Sequence, residues 1–395
     1  MPLKGKSLLV YKFSFLVVAL SCLSSCERAS ESVPIVEPNG LVEQDWKELQ
    51  ITDGLAYSKE SETPFDGVCR SRYVNGTTYL LANFEAGMLS NFKIWTNQGV
   101  LQVQGEFSNG KLSDPAKLFD PAIRSFGLPR GNMGEKTKGI GFREHFGLSE
   151  DCHRHGTWNL WHPNGEKFKE FVYQDGMLNG KFSSFDDKGR LLVKCHYSLG
   201  ELEGAWTSYH WPQGHRSESR SYRKGKLTGI WSKWGTNGAM KQKTFYSKGL
   251  KNGVHMLWHD NGQLAEKAIY KNDKLDGLLQ QYAQSGQMLL SCAYEHDRKV
   301  GQEKKWYLNG SQSAKIFWNK KGRKSGKIEA WFNNGNRKTF RHYQNGRLLQ
   351  AQSWKPDGEL SKEQVRDGNG TLIYYLENGS SKITQVYRNG EVVGK

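Results

Sequence analysis

Three histidines, His162, His210 and His259, share one position of a periodic sequence, six residues past a glycine. Imidazoles in register are the raw material of a metal row. In alternate repeats of a sheet they would stand about 19 Å apart, whereas one ion needs metal–nitrogen distances of ~2.0–2.1 Å. The intervening positions are Asp186 and Gly235, so the row reads as strand-end surface residues. Cys152-His153-Arg154-His155 is denser, and Cys152 with His155 could take up a stray ion, but no metal site is expected. Gly131 to Thr137 (GNMGEKT) has the residue types of a phosphate-binding loop, yet the glycine spacing is wrong and no helix follows. No Ser/His/Asp or Cys/His set has supporting context, and acids such as Asp186, Asp187 and Asp260 scatter along turns. The expectation is a protein that is not an enzyme, with no catalytic residue and no cofactor.

The strongest recurring chemistry is aromatic. Trp161, Phe185, Tyr209, Trp234, Trp258, Tyr282, Trp306 and Trp331 each lie five residues past a glycine, and those glycines run from Gly156 to Gly326 at spacings of 24 or 25. With aromatics at 12% of the chain, composition does not fill such a column. The column supports two readings: rings packed along one face of a sheet, or a binding strip in which rings meet a ligand.

The elements that position the column follow from its punctuation. A second glycine stands nine residues past the first, preceded by Asn in five units, as in Asn164-Gly165 and Asn261-Gly262. A Tyr or Trp follows near position seventeen, from Tyr173 to Tyr343, and a third turn falls near Gly176, Gly200, Gly225, Gly249, Gly322 and Gly346, with Asp273 and Asp297 standing in for Gly. Each unit therefore reads strand, Asn-Gly turn, strand, Gly turn. Asn-Gly is expected to form the type I′ corner, where both central residues need φ > 0. No stretch shows a sustained 3.6-residue period, so few helices are expected. The fold class is all-β: an elongated array of about twelve antiparallel hairpins of ~24 residues, as a single-layer twisted sheet or a β-solenoid-like stack, with neighbours covering faces that one hairpin cannot bury alone.

The organisation has five parts. Residues 1–26 read as an export signal, with Lys4, Lys6 and Lys12 ahead of an eleven-residue apolar run from Phe13 to Leu23 that is too short to span a bilayer. Residues 27–50 are acidic and carry Pro34 and Pro38, as a tether would. Degenerate repeats occupy 51–112, a proline-bearing insertion loop 113–150, and the array 151–395. Charge divides the same way: the formal +16 is +3 on residues 1–26, −4 on 27–150 and +17 on 151–395.

Leu23-Ser24-Ser25-Cys26 resembles the bacterial lipobox. That resemblance implies lipid attachment at Cys26, with two or three acyl chains holding the chain on a membrane; ordinary secretory cleavage near Ser25 is the alternative. The protein would then be exported and lipid-anchored, on the outer membrane of a two-membrane cell or otherwise on the outer face of the plasma membrane. The G-x-W-x-x-W/Y, x-N-G and Y-x-x-G elements, as in Gly156 to Trp161 and His162 to Gly165, resemble the MORN-repeat variant of bacterial proteins. The resemblance implies membrane-associated or scaffold arrays, some catalogued as antitoxin-like. Choline-binding wall repeats are similar in using aromatic hairpins, at a shorter period.

Partners expected from this are a membrane through the lipid anchor, a protein, and anionic lipid head groups or wall polymer met by the basic array. Nucleic acid is disfavoured, since no recognised module is present. Four cysteines remain beyond Cys26. Cys195 and Cys292 would lie about 38 Å apart and could not bridge, while Cys69 and Cys152 could pair across the insertion. The expected function is a non-enzymatic, membrane-tethered repeat scaffold for protein interaction. The alternatives are a binding module for wall polymer or anionic head groups and, from the family resemblance, an antitoxin-like component.

Overall fold

A computed structural model describes residues 42–59, 61–121 and 147–394. The signal, Cys26, the tether up to residue 41 and most of the insertion loop lie outside the described residues. Thirty strands, numbered here in chain order, are described, and 28 of them form one open sheet. From β4 onward the sheet runs as antiparallel hairpins in chain order, with β11 pairing both β12 and β13 and β18 pairing both β19 and β20. The exception is at the start, where β1 (Val42–Asp45) pairs in parallel with β4 (Gly67–Arg72). The all-β hairpin array expected from the sequence is thus the fold. Residues 42–50, read with the tether, belong to it: β1 is followed by a single 3-10 turn at Trp46–Glu48 and by β2 (Leu49–Thr52).

The turn assignment is corrected by the backbone. In the central Asn-Gly turns only the glycine has positive φ, as at Gly165 (90°) and Gly262 (85°). Gly165 N–H donates to the His162 carbonyl, and His162 N–H to the Glu166 carbonyl. That is a three-residue loop, a type I turn closed by a left-handed glycine. The two-residue type I′ corners lie at the other turn: Asp175-Gly176 (φ 47° and 80°), Lys224-Gly225 (48° and 67°) and Asn272-Asp273 (49° and 65°). Loop length decides between them, because Pro163 or Asp260 ahead of the Asn adds the third loop residue.

Buried apolar side chains gather at the two ends of the sheet. At the N-terminal end Phe84, Phe92, Trp158 and Phe171 are 0–2% exposed. The hairpin of β2 and β3 (Leu55–Ser58), together with α1 (Pro115–Phe119), packs against them. Asp114 caps α1 by accepting from Ala116 N–H, and Pro115 occupies its first turn. The helix buries Leu118 and Phe119; Phe119 stacks on Trp46, with centroids 5.6 Å apart. Gly105 lies flat under the Trp158 indole, where a Cβ would come within 2.5 Å of the ring. A smaller cluster of Ile328, Leu348, Ala351, Val365 and Leu372 closes the C-terminal end. Cys69 is a free, buried thiol, so the Cys69–Cys152 bridge is not formed. Cys195 and Cys292 are likewise free and buried.

Candidate functional site

Between the two clusters the sheet presents two unlike faces. On one, positions two and fifteen of the repeats pair across strands: Trp158 with Phe171, Phe182 with Cys195, Trp206 with Arg220, Trp231 with Thr244, His255 with Ala268 and Leu279 with Cys292. The row starts aromatic and turns polar toward the middle, yet Thr244, His255, Leu279, Cys292 and Glu303 remain 0–8% exposed. They are covered by the Tyr and Trp column at position seventeen and by cations laid on its rings. Arg220 sits between Trp206 and Trp231, with its guanidinium carbon 4.6 and 5.3 Å from the two ring centroids. Lys251 lies over Tyr270, Lys299 over Trp318 and Lys324 over Tyr343, at 4.9 to 5.6 Å. Such contacts stabilise by about 0.5–2 kcal/mol when partly desolvated.

Two carboxylates complete this face. Glu303 accepts from Lys299 Nζ at 3.0 Å and from the Trp318 indole at 2.8 Å, with Lys305 Nζ at 3.4 Å. Burial pushes its carboxyl up, but the Lys299 and Trp318 hydrogen bonds and the charges of Lys305 and Lys299 outweigh that and hold it below its ordinary value. Glu218 takes the equivalent part beside Arg220, Lys233 and the Trp231 indole. His255 shares a 2.7 Å hydrogen bond with Thr244 and stands edge-on to Tyr270. Burial, and then the charge of Lys251, lower its pKa. The rings here are already engaged by the chain's own cations, which makes this face a self-contained packing surface.

The eight aromatics of the sequence column, Trp161, Phe185, Tyr209, Trp234, Trp258, Tyr282, Trp306 and Trp331, lie on the opposite face. Alternation places position five across the sheet from position two. Lys194, paired with Thr207, lies over the Tyr209 ring at 5.9 Å. All eight are half-buried, and none is a member of either buried cluster. Their carbonyls have a structural role that the sequence did not disclose. His162, His210 and His259 donate through Nε2 to the carbonyls of Phe185, Trp234 and Tyr282 in the next repeat, at 2.8–3.1 Å. Tyr307 donates to Trp331 in the same way, at 2.9 Å. The histidine row is therefore a set of links between repeats rather than a ligand set.

The turn asparagines link repeats too. Asn164 Oδ1 accepts from Glu166 N–H within its own turn, while Nδ2 donates to the Asp187 carbonyl of the next. Asn261 and Asn309 repeat this toward Gln284 and Asn333. At the other edge the corner N–H groups of Gly200, Gly249, Asp273 and Asp297 donate back to Leu178, Leu227, Lys251 and Leu275. Asp273 and Asp297 also accept from the Lys251 and Leu275 amides, both at 2.7 Å. That second bond is what Asp supplies where other repeats have Gly.

Cys152 is buried in the N-terminal core, whereas His155 is 46% exposed beside Asp175, so the pair does not converge on an ion. Among the described residues no three His, Cys, Asp or Glu side chains gather as a metal group. An open hollow of about 400 Å³ is lined by Asn319, Lys320, Lys321, Arg323 and Asn345. No described helix is long and apolar enough to cross a membrane.

A family model described as MORN repeat variant matches residues 251–272, the stretch from the end of one I′ corner to the start of the next. No curated protein matches the chain. Among solved structures, a chain of the TcdB2-TccC3-Cdc42 complex aligns at 10% identity, covering 86% of this chain and 23% of that one with a TM-score of 0.15. A chain of the Photorhabdus luminescens Tc holotoxin pore aligns at 10% identity, with coverage of 86% and 21% and a TM-score of 0.14. An alternansucrase in complex with isomaltononaose aligns at 17% identity, with coverage of 47% and 16% and a TM-score of 0.15. This chain thus spans less than a quarter of the length of each.

Proposed function

We propose that the chain is a non-enzymatic repeat scaffold for protein interaction, tethered to a membrane of the cell envelope through lipid on Cys26. The observation that carries the scaffold reading is the placement of the buried clusters. They hold the two ends of the sheet, and the strands between them carry their aromatic, lysine and apolar side chains on a face with no described layer over it. Broad, rigid, repetitive surfaces of this kind suit macromolecular partners better than small substrates, which favour enclosed pockets.

Affinity capture of the mature chain from detergent-solubilised envelopes tests the scaffold. A protein recovered in stoichiometric amount and lost at high salt is expected; recovery of the chain alone overturns the reading. Metabolic labelling with a palmitate analogue tests the tether separately: the wild type is labelled and Cys26→Ser is not. Equal labelling of the two overturns it.

A second reading, a module for wall polymer or anionic head groups, has one observation in its favour. The array carries a +17 excess, and turn lysines such as Lys226, Lys248 and Lys271 are exposed. Co-sedimentation with purified wall and with anionic vesicles, with and without salt, separates it from the scaffold.

A further inference from the structure

On the face that carries the aromatic column, one row of side chains is apolar across six consecutive strands. In β15 (Lys226–Trp234) and β16 (Met240–Ser247) it is Ile230 paired with Phe245; in β17 (Leu250–Trp258) and β18 (Leu264–Lys271), Val254 with Ile269; in β20 (Gly277–Tyr282) and β21 (Met288–Glu295), Leu278 with Ala293. Ile230, Phe245, Val254 and Leu278 are 43%, 45%, 39% and 40% exposed. Large apolar side chains left this open, contiguously and in register, mark an interaction surface more often than an ordinary solvated face.

The geometry limits what can lie there. The row crosses the strands, so its length is set by strand spacing: five intervals of ~4.8 Å give about 24 Å. It is one side chain wide except at β17, where Met256 adds a second apolar position between Lys243 and Lys267. Lys243 and Lys267, two residues along their strands from Phe245 and Ile269, border it on one side. Exposed Lys226, Lys248, Lys271 and Lys274 border it at the I′ corners. Among the described residues these lysines hold no ion pair, unlike Lys233, Lys299 and Lys305 on the other face. A narrow apolar line with free cations along both sides is the complement of a helix whose apolar stripe is bordered by acids. An α-helix rises 1.5 Å per residue, so about 16 residues cover the line, and its ~5.4 Å pitch sets roughly one apolar residue over each strand. A bilayer surface has no such lateral limit and would meet the neighbouring turns as well.

We propose that this stripe, from Ile230 to Ala293, seats an acidic amphipathic helix of a partner protein. The inference rests on the scaffold reading and names its docking surface and the kind of partner it fits. A synthetic 18-residue helix with Leu at i, i+3/i+4 spacing and Glu on both flanks is the probe, titrated against the whole mature chain. Binding is expected, weakening with salt and by about tenfold or more in Phe245→Glu and in the double variant Lys243→Glu with Lys267→Glu. A helix with Lys flanks is expected not to bind. Leu308→Glu, at an exposed turn on the other edge, is expected to leave affinity and the circular dichroism spectrum unchanged.

Failure of the Glu-flanked helix to bind overturns the proposal. Equal affinity for both helices also overturns it, as does affinity unchanged by Phe245→Glu in a folded variant. Capture by phosphatidylglycerol vesicles through Phe245, without helix binding, replaces it with a membrane surface. Photo-crosslinking from position 245 and from position 206 in cells keeps the two readings apart. A protein captured only from position 206 removes the stripe and leaves the scaffold; no protein from either position removes both.

Discussion

Positions two and fifteen of the repeat carry Trp158 and Phe171 near the N-terminal end of the sheet and Thr244, His255 and Glu303 in its middle, and all of these are buried. At the N-terminal end a second layer, made of the β2–β3 hairpin and α1, excludes water, and the row is filled with rings that pack edge-on: Trp158 meets Phe92 and Phe107 at centroid distances of 5.4 Å. In the middle, among the described residues, only side chains from the sheet itself cover the row, and it holds polar groups that bond to one another or to that cover. A buried polar or charged group is tolerable where its partners come from the same face, and costly where they do not. The difference teaches that the repeat fixes where a side chain points, while what lies above decides which side chain can stay there.

That comparison can be broken in four ways. Trp158→Ala is expected to have the largest effect, a loss of about 3–5 kcal/mol with a cavity under the N-terminal cover. Urea titration with hydrogen exchange would check it; exchange that rises equally over residues 240–306 would contradict the regional division. Glu303→Ala is expected to be intermediate, at about 1–3 kcal/mol, because it strands the Trp318 N–H and two lysines. Its exchange should rise over residues 288–318 and leave residues 67–107 untouched.

Acid is expected to loosen the middle first. His255 has its pKa lowered from 6.5, so its neutral form contributes stability above that value and the contribution is lost as the pH falls through the lower, folded value. Glu303, lowered from 4.5, adds a second loss at more acid pH with the same sign. Melting temperatures from pH 8 to pH 4 should decline, and His255→Gln should flatten the upper part of that decline; an unchanged profile would count against His255. Asn309→Ala is expected to have the smallest effect, about 0.5–1.5 kcal/mol, since it removes the bond to the Asn333 carbonyl and the cap on its own turn. A thermal melt would register it, and a loss as large as that of Trp158→Ala would show that the turn ladders, not the packed ends, dominate.

Much of the architecture was legible because its determinants are local. Glycines at left-handed positions recur with the repeat, and tyrosines keep the two-residue alternation of a strand. The Asn-Gly turn was misassigned as type I′ because Asn-Gly is a signal of composition, while the loop residue added by Pro163 or Asp260 is one of geometry. The aromatic column was legible as rings along one face, but not as the face opposite the buried row. The extra residue at the register shift beside position five, Phe168 in the first full unit, falls on the partner strand, so alternation along the strand itself holds and sets position five across the sheet from position two. The N-terminal cover was not legible at all. The contacts of Phe119 with Trp46 and Phe84 join segments far apart in sequence, and nothing periodic announces them. The apolar stripe was present in the letters at Ile230, Val254 and Leu278, one residue past each anchor glycine, but it gained meaning only from a face with no described layer over it.

The turn ladders carry one more consequence. The links from asparagines such as Asn164, Asn261 and Asn309 and from the corner amides reach no further than the adjacent repeat, so they hold no record of how many units the sheet contains. Excision of residues 253–276 would bring Lys251 and Asn252 up to Gly277 with every kind of link restored, and the sheet would be two strands, or about 10 Å, narrower. Removal of half that length would join an Asn turn to a Gly corner and set the two faces against each other. Reach, in this molecule, is a quantity that whole-repeat duplication and loss can adjust in fixed steps without redesigning either end.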